Sequence, residues 1–189
     1  MPTTESIRQM LVPGRRLDAG RVWEVVEIVE GRPGKFAQLI ECLWDDNPAV
    51  ASRAADALER ATRDKPAVAQ RWKIELLGLM AEVTEKKVRW NLALVVPRLK
   101  LGVPECRRAA EVLNTFLDDP SSIVKTAALH GMADLTRQDP DSLPNVLDLL
   151  RMAARSGTPA MRARSRILLK AIECRRRKNQ NRSSIHMFD

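Results

Sequence analysis

The sequence predicts an all-α protein, a short α-solenoid of about four helical hairpins preceded by an N-terminal helical cap. One helical pattern recurs four times along the chain, at intervals of 38, 36 and 37 residues. In each copy an apolar residue is followed by small or apolar residues four, seven and eight positions later, and these offsets share one side of an α-helix. Breaks containing Pro or Gly separate the copies. The four stripes are Val50-Ala54-Ala57-Leu58, Val88-Leu92-Val95-Val96, Val124-Ala128-Gly131-Met132 and Met161-Ser165-Leu168-Leu169.

The first part of the chain, residues 1–34, is less regular and predicts the cap. Its apolar pattern fits a helix over about 15–30 and a short helix over 4–11, and Gly31-Arg32-Pro33-Gly34 would end the longer one. The first hairpin of a solenoid leaves an apolar side open, so we expect this segment to cover it.

Each repeat is predicted to be a pair of helices, and the repeats lie at about 35–66, 69–100, 104–138 and 141–174. Pro97 falls inside the second helix of repeat two and should end or kink it. After residue 174 the sequence becomes polar and loses helical periodicity, so residues 175–189 are expected to form a basic, flexible tail. The predicted helix pairs are 35–45 with 49–63, 69–82 with 86–100, 104–117 with 122–137, and 142–154 with 159–174.

The repeat resembles the HEAT repeat of armadillo-like proteins, a helical hairpin of about 40 residues whose second helix begins near a turn Asp and a Val-Arg pair. Here Asp119 lies five residues before Val124-Lys125, and Asp45 lies five residues before Val50. Two further pairs supply the basic residue without the Asp, namely Val88-Arg89 and Met161-Arg162.

The resemblance covers about 35–174 and implies a right-handed α-solenoid in which these Asp and basic residues form a hydrogen-bonded ladder between repeats. It also implies that the second helices line the concave face. It implies no particular activity, because one fold hosts many functions.

The net charge of +8 is concentrated at one end of the chain. Residues 151–189 hold eleven Arg and Lys against two acidic residues, a net charge of +9, so the first 150 residues carry about −1. The basic residues of this end lie on the last predicted helix and in the tail.

Cysteine usage and hydropathy predict a cytoplasmic protein. Cys42, Cys106 and Cys174 are odd in number, far apart and without CxxC spacing, which argues against a disulfide framework. No apolar run approaches the roughly 20 residues that span a bilayer, and the N-terminus has no apolar core of the signal-peptide kind. Neither a membrane nor a small-molecule substrate is therefore expected as a partner.

Offsets +2, +6, +9 and +13 from the first stripe residue should point away from the core of each second helix. In repeat two they include Trp90 and Leu94, and in repeat three they include His130, so these three residues should lie close together on the concave face. A Trp flanked by apolar residues in a groove is typical of a binding anchor for a protein or peptide. The alternative is that Trp90 and Leu94 belong to the core, because apolar residues at helical spacing usually do.

A second set of candidates is basic, and it would contact phosphate or an acidic partner. A solvated end cap is the alternative role for these residues, since a solenoid needs a polar end. Nucleic-acid binding through the basic C-terminus is accordingly the alternative function. The set comprises Arg162, Arg166, Lys170, Arg175, Arg176, Arg177 and Lys178.

Catalytic motifs are not found, and no cofactor or metal site is predicted. No metal site is predicted at His130, because one His with a single nearby carboxylate is fewer ligands than a metal site needs. One enzymatic alternative follows from the resemblance, since some DNA alkylation-repair glycosylases are built from HEAT-like repeats and use Trp, Asp and Arg on a basic concave face. Asp56, Trp90 and Arg137 would be the corresponding residues here, although the body of this chain is nearly neutral. The sequence therefore favours a non-enzymatic interaction module.

Overall fold

The computed structural model describes residues 5–12 and 21–185, with side chains to residue 178. This part of the chain is all-helical and contains no strand. Short 3-10 turns lie at Cys42–Trp44, Pro66–Trp72, Val96–Arg98 and Pro140–Ser142. The α-helices are α1 (Ile7–Leu11), α2 (Val22–Glu30), α3 (Pro33–Glu41), α4 (Pro48–Thr62), α5 (Lys73–Glu82), α6 (Lys86–Val95), α7 (Val103–Phe116), α8 (Ser122–Leu135), α9 (Leu143–Ser156) and α10 (Pro159–Ile185).

Prolines and short polar side chains set several helix ends. Pro48 occupies the first turn of α4, where its missing N–H costs nothing, and Asn47 accepts a hydrogen bond from the Ala49 N–H at 3.0 Å. The predicted effect of Pro97 is confirmed, because α6 ends at Val95 and continues only as a 3-10 turn.

The helices form two rows that pack against each other. In the second-helix row (α2, α4, α6, α8 and α10) each helix packs against the next along its length. In the first-helix row (α3, α5, α7 and α9) each helix packs on its successor in the chain, but α3–α5 and α7–α9 have no comparable contact. The core lies between the rows, and the small stripe residues Ala54, Ala57 and Ala128 are fully buried in it.

A close backbone approach in the second-helix row joins α6 and α8 at Gly131. A Cβ at Gly131 would lie 2.4 Å from the Ala93 backbone oxygen and 3.1 Å from both Leu113 Cδ1 and Pro97 Cγ. Pro97 has no N–H to donate to that oxygen four residues earlier in α6. The Cα–H of Gly131 faces the oxygen instead, so a glycine here allows the two backbones to touch.

Two ion pairs link the turn before α4 to α1 and the turn before α8 to α6. Asp119 accepts a hydrogen bond from Arg89 Nη1 at 2.8 Å, and Asp45 accepts two from Arg8. Each Asp also accepts from the N–H two residues later, at 2.7 Å for Ser121 and 2.9 Å for Asn47. The two turns that occupy the same place in repeats one and three therefore have the same hydrogen-bonding pattern.

Several predicted outward positions are buried. Ser52 is 3% exposed, Glu59 5% and Ala133 4%, and Pro97 is also buried. The offsets allow for burial on one side of a helix, whereas α4, α6 and α8 each lie between two other helices of the row. The residue nine positions after the first stripe residue is therefore buried in each of the first three repeats, as Glu59, Pro97 and Ala133.

The termini of the chain also differ from the prediction. The backbone of α10 continues to Ile185, whereas a helix end at 174 and a flexible tail were expected. No Pro or Gly occurs between residues 160 and 185, and Arg and Lys are good helix formers, so nothing there stops the helix. At the other end α1 begins at Ile7 and α2 at Val22. Residues 1–4, 13–20 and 186–189 lie outside the described residues, so the starts of the two predicted cap helices and the end of the predicted tail are not covered.

Candidate partner-binding site

The predicted anchor residues line one open pocket on the second-helix row. This Trp90 pocket has a volume of about 230 Å³ and lies between α6, α8 and α10. Trp90 and Leu94 are half-buried, with their inner atoms packed against the core. The lining residues are Trp90 and Leu94 of α6, Ile123, Thr126, Ala127 and His130 of α8, and Ala160 and Arg164 of α10.

The pocket exists because large and small side chains alternate across the row. Trp90 and Leu94 are four residues apart, so they form one ridge on α6. Opposite them stand the small side chains of Thr126, Ala127 and Ala160, which leave the space that the larger residues enclose. Its surface is mainly apolar, and an open apolar depression of this kind suits the side chain of a partner.

His130 lies at the edge of the Trp90 pocket, half-buried among charged groups. Its Nε2 is 3.6 Å from Asp134 Oδ2, beyond hydrogen-bonding distance. Burial lowers the pKa of His130, Asp134 acts in the opposite direction, and the nearby guanidinium groups of Arg164, Arg98 and Arg137 lower it further. His130 is therefore neutral at pH 7.

A second pocket adjoins the first through His130, and it is strongly polar. This cationic pocket has a volume of about 480 Å³ and lies over the turn that follows α6. Its titratable side chains come from the C-terminal parts of α4 and α8 and from the turn after α6. They belong to Arg63, Arg98, Lys100, His130, Asp134 and Arg137.

The sequence analysis did not group these cations. Arg63 and Arg137 both occupy offset +13 of their repeats, so a basic residue at the same offset in two repeats was an available signal. Arg98 and Lys100 gave no such signal, because the 3-10 turn after α6 breaks the helical spacing from which offsets are counted.

The basic candidates of the last helix divide into two groups. Arg162 donates to the Gly157 backbone oxygen at 3.2 Å, and Arg175 donates to Thr136 Oγ1 at 2.9 Å. Burial, and then the nearby Arg137, lower the pKa of Arg175. These two residues thus hold α10 to its surroundings, while the others project into solvent: Arg166, Lys170, Arg176, Arg177 and Lys178.

The residues proposed by analogy with alkylation-repair glycosylases do not share a pocket. Trp90 lines the Trp90 pocket and Arg137 the cationic pocket, whereas Asp56 lines neither and accepts a hydrogen bond from Arg60 Nε at 2.9 Å. Within the described residues, no group of three His, Cys, Asp or Glu side chains could hold a metal ion.

A third pocket lies on the other side of α8, between α7 and α9. It has a volume of about 450 Å³ and a mainly apolar lining that includes Ala110, Met132 and Leu149. Cys106 also lines it, but burial raises the pKa of this thiol, which disfavours the reactive thiolate. This α7–α9 pocket was not predicted, since it results from the separation of two first helices.

No helix in the described part of the chain is long and apolar enough to cross a membrane. Comparison of the chain with protein-family models, curated proteins and solved structures finds no match.

Proposed function

We propose that this chain is a non-enzymatic interaction module, a HEAT-like α-solenoid whose second helices form a concave face that binds a peptide or protein partner. The observation that supports it is the Trp90 pocket, where half-buried Trp90 and Leu94 stand beside Ile123, which is 48% exposed. The groove would take one bulky apolar side chain of the partner between α6 and α10.

The size of the pocket favours a side chain over a small-molecule ligand. Sites for small molecules commonly have volumes of about 300–1,000 Å³ and enclose most of the ligand. The Trp90 pocket is smaller, at about 230 Å³, and open to solvent. Tryptophans at the centre of an interface commonly contribute most of the binding energy, and Trp90 presents a rigid face that the core already holds in place.

A peptide library displayed on phage tests the proposal, with affinities of the selected peptides measured against variants. We expect Trp90→Ala to weaken binding by about 2 kcal/mol or more, roughly thirtyfold, because it removes the anchor. Trp23→Ala is the matched control, since Trp23 is 61% exposed and lies on α2, away from the pocket. Equal affinities of the two variants would contradict the proposal.

Unfolding of the same variants separates a groove residue from a core residue. Because Trp90 is half-buried, Trp90→Ala should lower the denaturant midpoint only modestly if Trp90 is an anchor. A loss of about 3–5 kcal/mol in the free energy of unfolding, as for a buried aromatic residue, would assign Trp90 to the core instead.

Nucleic-acid binding is the second candidate function, and the length of α10 favours it. Because the helix continues past residue 174, Arg166, Lys170 and Arg177 lie on one exposed side of it. Replacing these three residues by Gln, rather than truncating the chain, preserves the contact between Arg175 and Thr136. Gel shifts with duplex DNA at two salt concentrations should then show binding that falls with salt in the wild type and is weaker in the variant. Binding that neither salt nor the substitutions change would exclude this role.

A further inference from the structure

The cationic pocket carries more positive charge than its own carboxylates neutralise. Arg63 and Arg98 both donate to the buried Glu59, at 2.6 and 2.7 Å, and Arg137 lies 3.5 Å from Asp134. Lys100 has no ion-pair partner among the described residues. Among the lining residues and the Glu59 carboxylate that Arg63 and Arg98 contact, four cations face two carboxylates, which gives a net charge of about +2 for this set.

Five hydrogen bonds from two glutamine side chains hold the backbone of the segment 97–101. Gln138 Nε2 donates to the backbone oxygens of Pro97 and Leu99, at 3.0 and 2.9 Å, and its Oε1 accepts from the Leu101 N–H at 2.9 Å. Gln70 exchanges two hydrogen bonds with the Lys100 backbone, at 2.8 and 2.9 Å. Two glutamines from different repeats thus fix the turn that carries Arg98 and Lys100.

Glu59 fixes the orientation of the Arg98 guanidinium group. Arg98 donates to Glu59 Oε1 and also to the Glu59 backbone oxygen, at 2.7 and 3.2 Å. A guanidinium group held in this way loses little conformational entropy when it binds an anion, which strengthens the interaction. The site is therefore organised before any ligand arrives.

We propose that the cationic pocket is a carboxylate subsite, which binds one or two acidic side chains of the partner whose apolar side chain occupies the Trp90 pocket. This inference rests on the proposed function and defines the partner: an apolar residue followed closely by Asp or Glu. The shared residue His130 makes the two pockets continuous, so one short peptide segment spans both.

The adjoining Trp90 pocket favours carboxylates over free phosphate. A net charge of about +2 suits one or two carboxylates, and a peptide whose apolar side chain enters the Trp90 pocket would carry them within reach of the cationic pocket. Nucleic acid needs a row of cations along its backbone, and this site is a single concavity.

His130 is a built-in reporter for the subsite. The groups that face it are Asp134 of α8, Arg137 just after α8, Arg98 of the turn after α6, and Arg164 of α10. An anion bound among these arginines stabilises the imidazolium form, so the pKa of His130 should rise on binding. The chain has two histidines, so His130→Gln identifies its NMR signal.

The first experiment titrates the His130 NMR signal of the full chain with citrate, a small tricarboxylate, and separately with inorganic phosphate. We expect citrate to raise the pKa of His130 in the wild type and in Arg107→Gln/Arg108→Gln, which removes two exposed cations of α7. It should not do so in Lys100→Gln/Arg137→Gln, which removes the same charge from the subsite. Phosphate acting in place of citrate would overturn the assignment to carboxylates, and a response to neither anion would overturn the subsite.

The second experiment uses the displayed peptide library. Peptides selected by the wild type should carry Asp or Glu near an apolar position, and the acidic preference should be lost with Lys100→Gln/Arg137→Gln. Affinity of an acidic peptide should fall at least tenfold in that variant and stay unchanged in the α7 control. Peptides that depend on Trp90 but show no acidic preference would overturn the subsite and leave the proposed function standing. Peptide binding that depends neither on Trp90 nor on acidic residues would reject both proposals. Displacement of an acidic peptide by duplex DNA would assign the pocket to phosphate.

Discussion

The two rows of helices differ in how tightly they pack. In the second-helix row the stripes of α4 and α8 include the small, fully buried residues Ala54, Ala57 and Ala128, and α6 and α8 touch through their backbones at Gly131. In the first-helix row α7 and α9 separate around a pocket of about 450 Å³. Residue size is thus constrained in the second-helix row and tolerated in the first-helix row, although both consist of amphipathic helices.

The largest difference in stability is expected when one glycine in each row is replaced by alanine. Gly131→Ala should destabilise the protein by about 3 kcal/mol, because the new Cβ meets a backbone oxygen that cannot move without separating α6 from α8. Gly78→Ala in α5 meets no atom within 4 Å and should stabilise the protein by up to about 1 kcal/mol through helix propensity. Urea unfolding measures both, and a similar change in the two variants would remove the contrast between the rows.

A second pair of substitutions compares overpacking with pocket filling. Ala128→Leu should cost about 1–3 kcal/mol, because Ala128 is fully buried between helices of the second-helix row. Ala110→Leu extends into the open α7–α9 pocket and should change stability little. Thermal unfolding of the two variants checks this. An unchanged midpoint for Ala128→Leu would show that a larger side chain fits on this side of α8, contrary to the observed packing.

The smallest expected effect on stability concerns one ion-paired glutamate in each row, Glu59 in the second-helix row and Glu105 in the first-helix row. Burial of the Glu59 carboxylate acts to raise its pKa, but the hydrogen bonds from Arg63 and Arg98 outweigh burial and hold the pKa below its ordinary value. This group therefore stabilises the fold above the unfolded-state pKa, about 4.3, and the contribution is lost as pH falls through the lower folded-state pKa. We expect Glu59→Gln to cost about 1–2 kcal/mol at pH 7.

Glu105 is the control for this prediction in the first-helix row. It is paired with Lys73 at 2.7 Å, more exposed than Glu59, and Glu105→Gln should have a smaller effect. The free energy of unfolding of both variants, measured from pH 7 to pH 3, should show the wild-type advantage over Glu59→Gln disappearing at low pH. An advantage that stays the same from pH 7 to pH 3 would mean that charge is not its source.

Much of the candidate site followed from helical spacing. The sequence placed Trp90, Leu94 and His130 together because outward positions on neighbouring second helices should lie side by side. The structure brings these three residues to one pocket. The same counting failed at Glu59 and Ala133, since a helix with neighbours on both sides buries positions that a single neighbour would leave exposed.

The sequence by itself determined that the protein is helical and where its repeated helices lie, since periodicity and proline breaks act locally along the chain. It also placed the end of α6, because Pro97 acts through its own ring and missing N–H. Only the tertiary structure decided which charges meet. The cationic pocket joins residues 63, 98, 100 and 137, which come from three repeats and from a turn outside the helical spacing. The gap between α7 and α9 likewise depends on how two non-adjacent helices are held apart, a distance that no local pattern encodes.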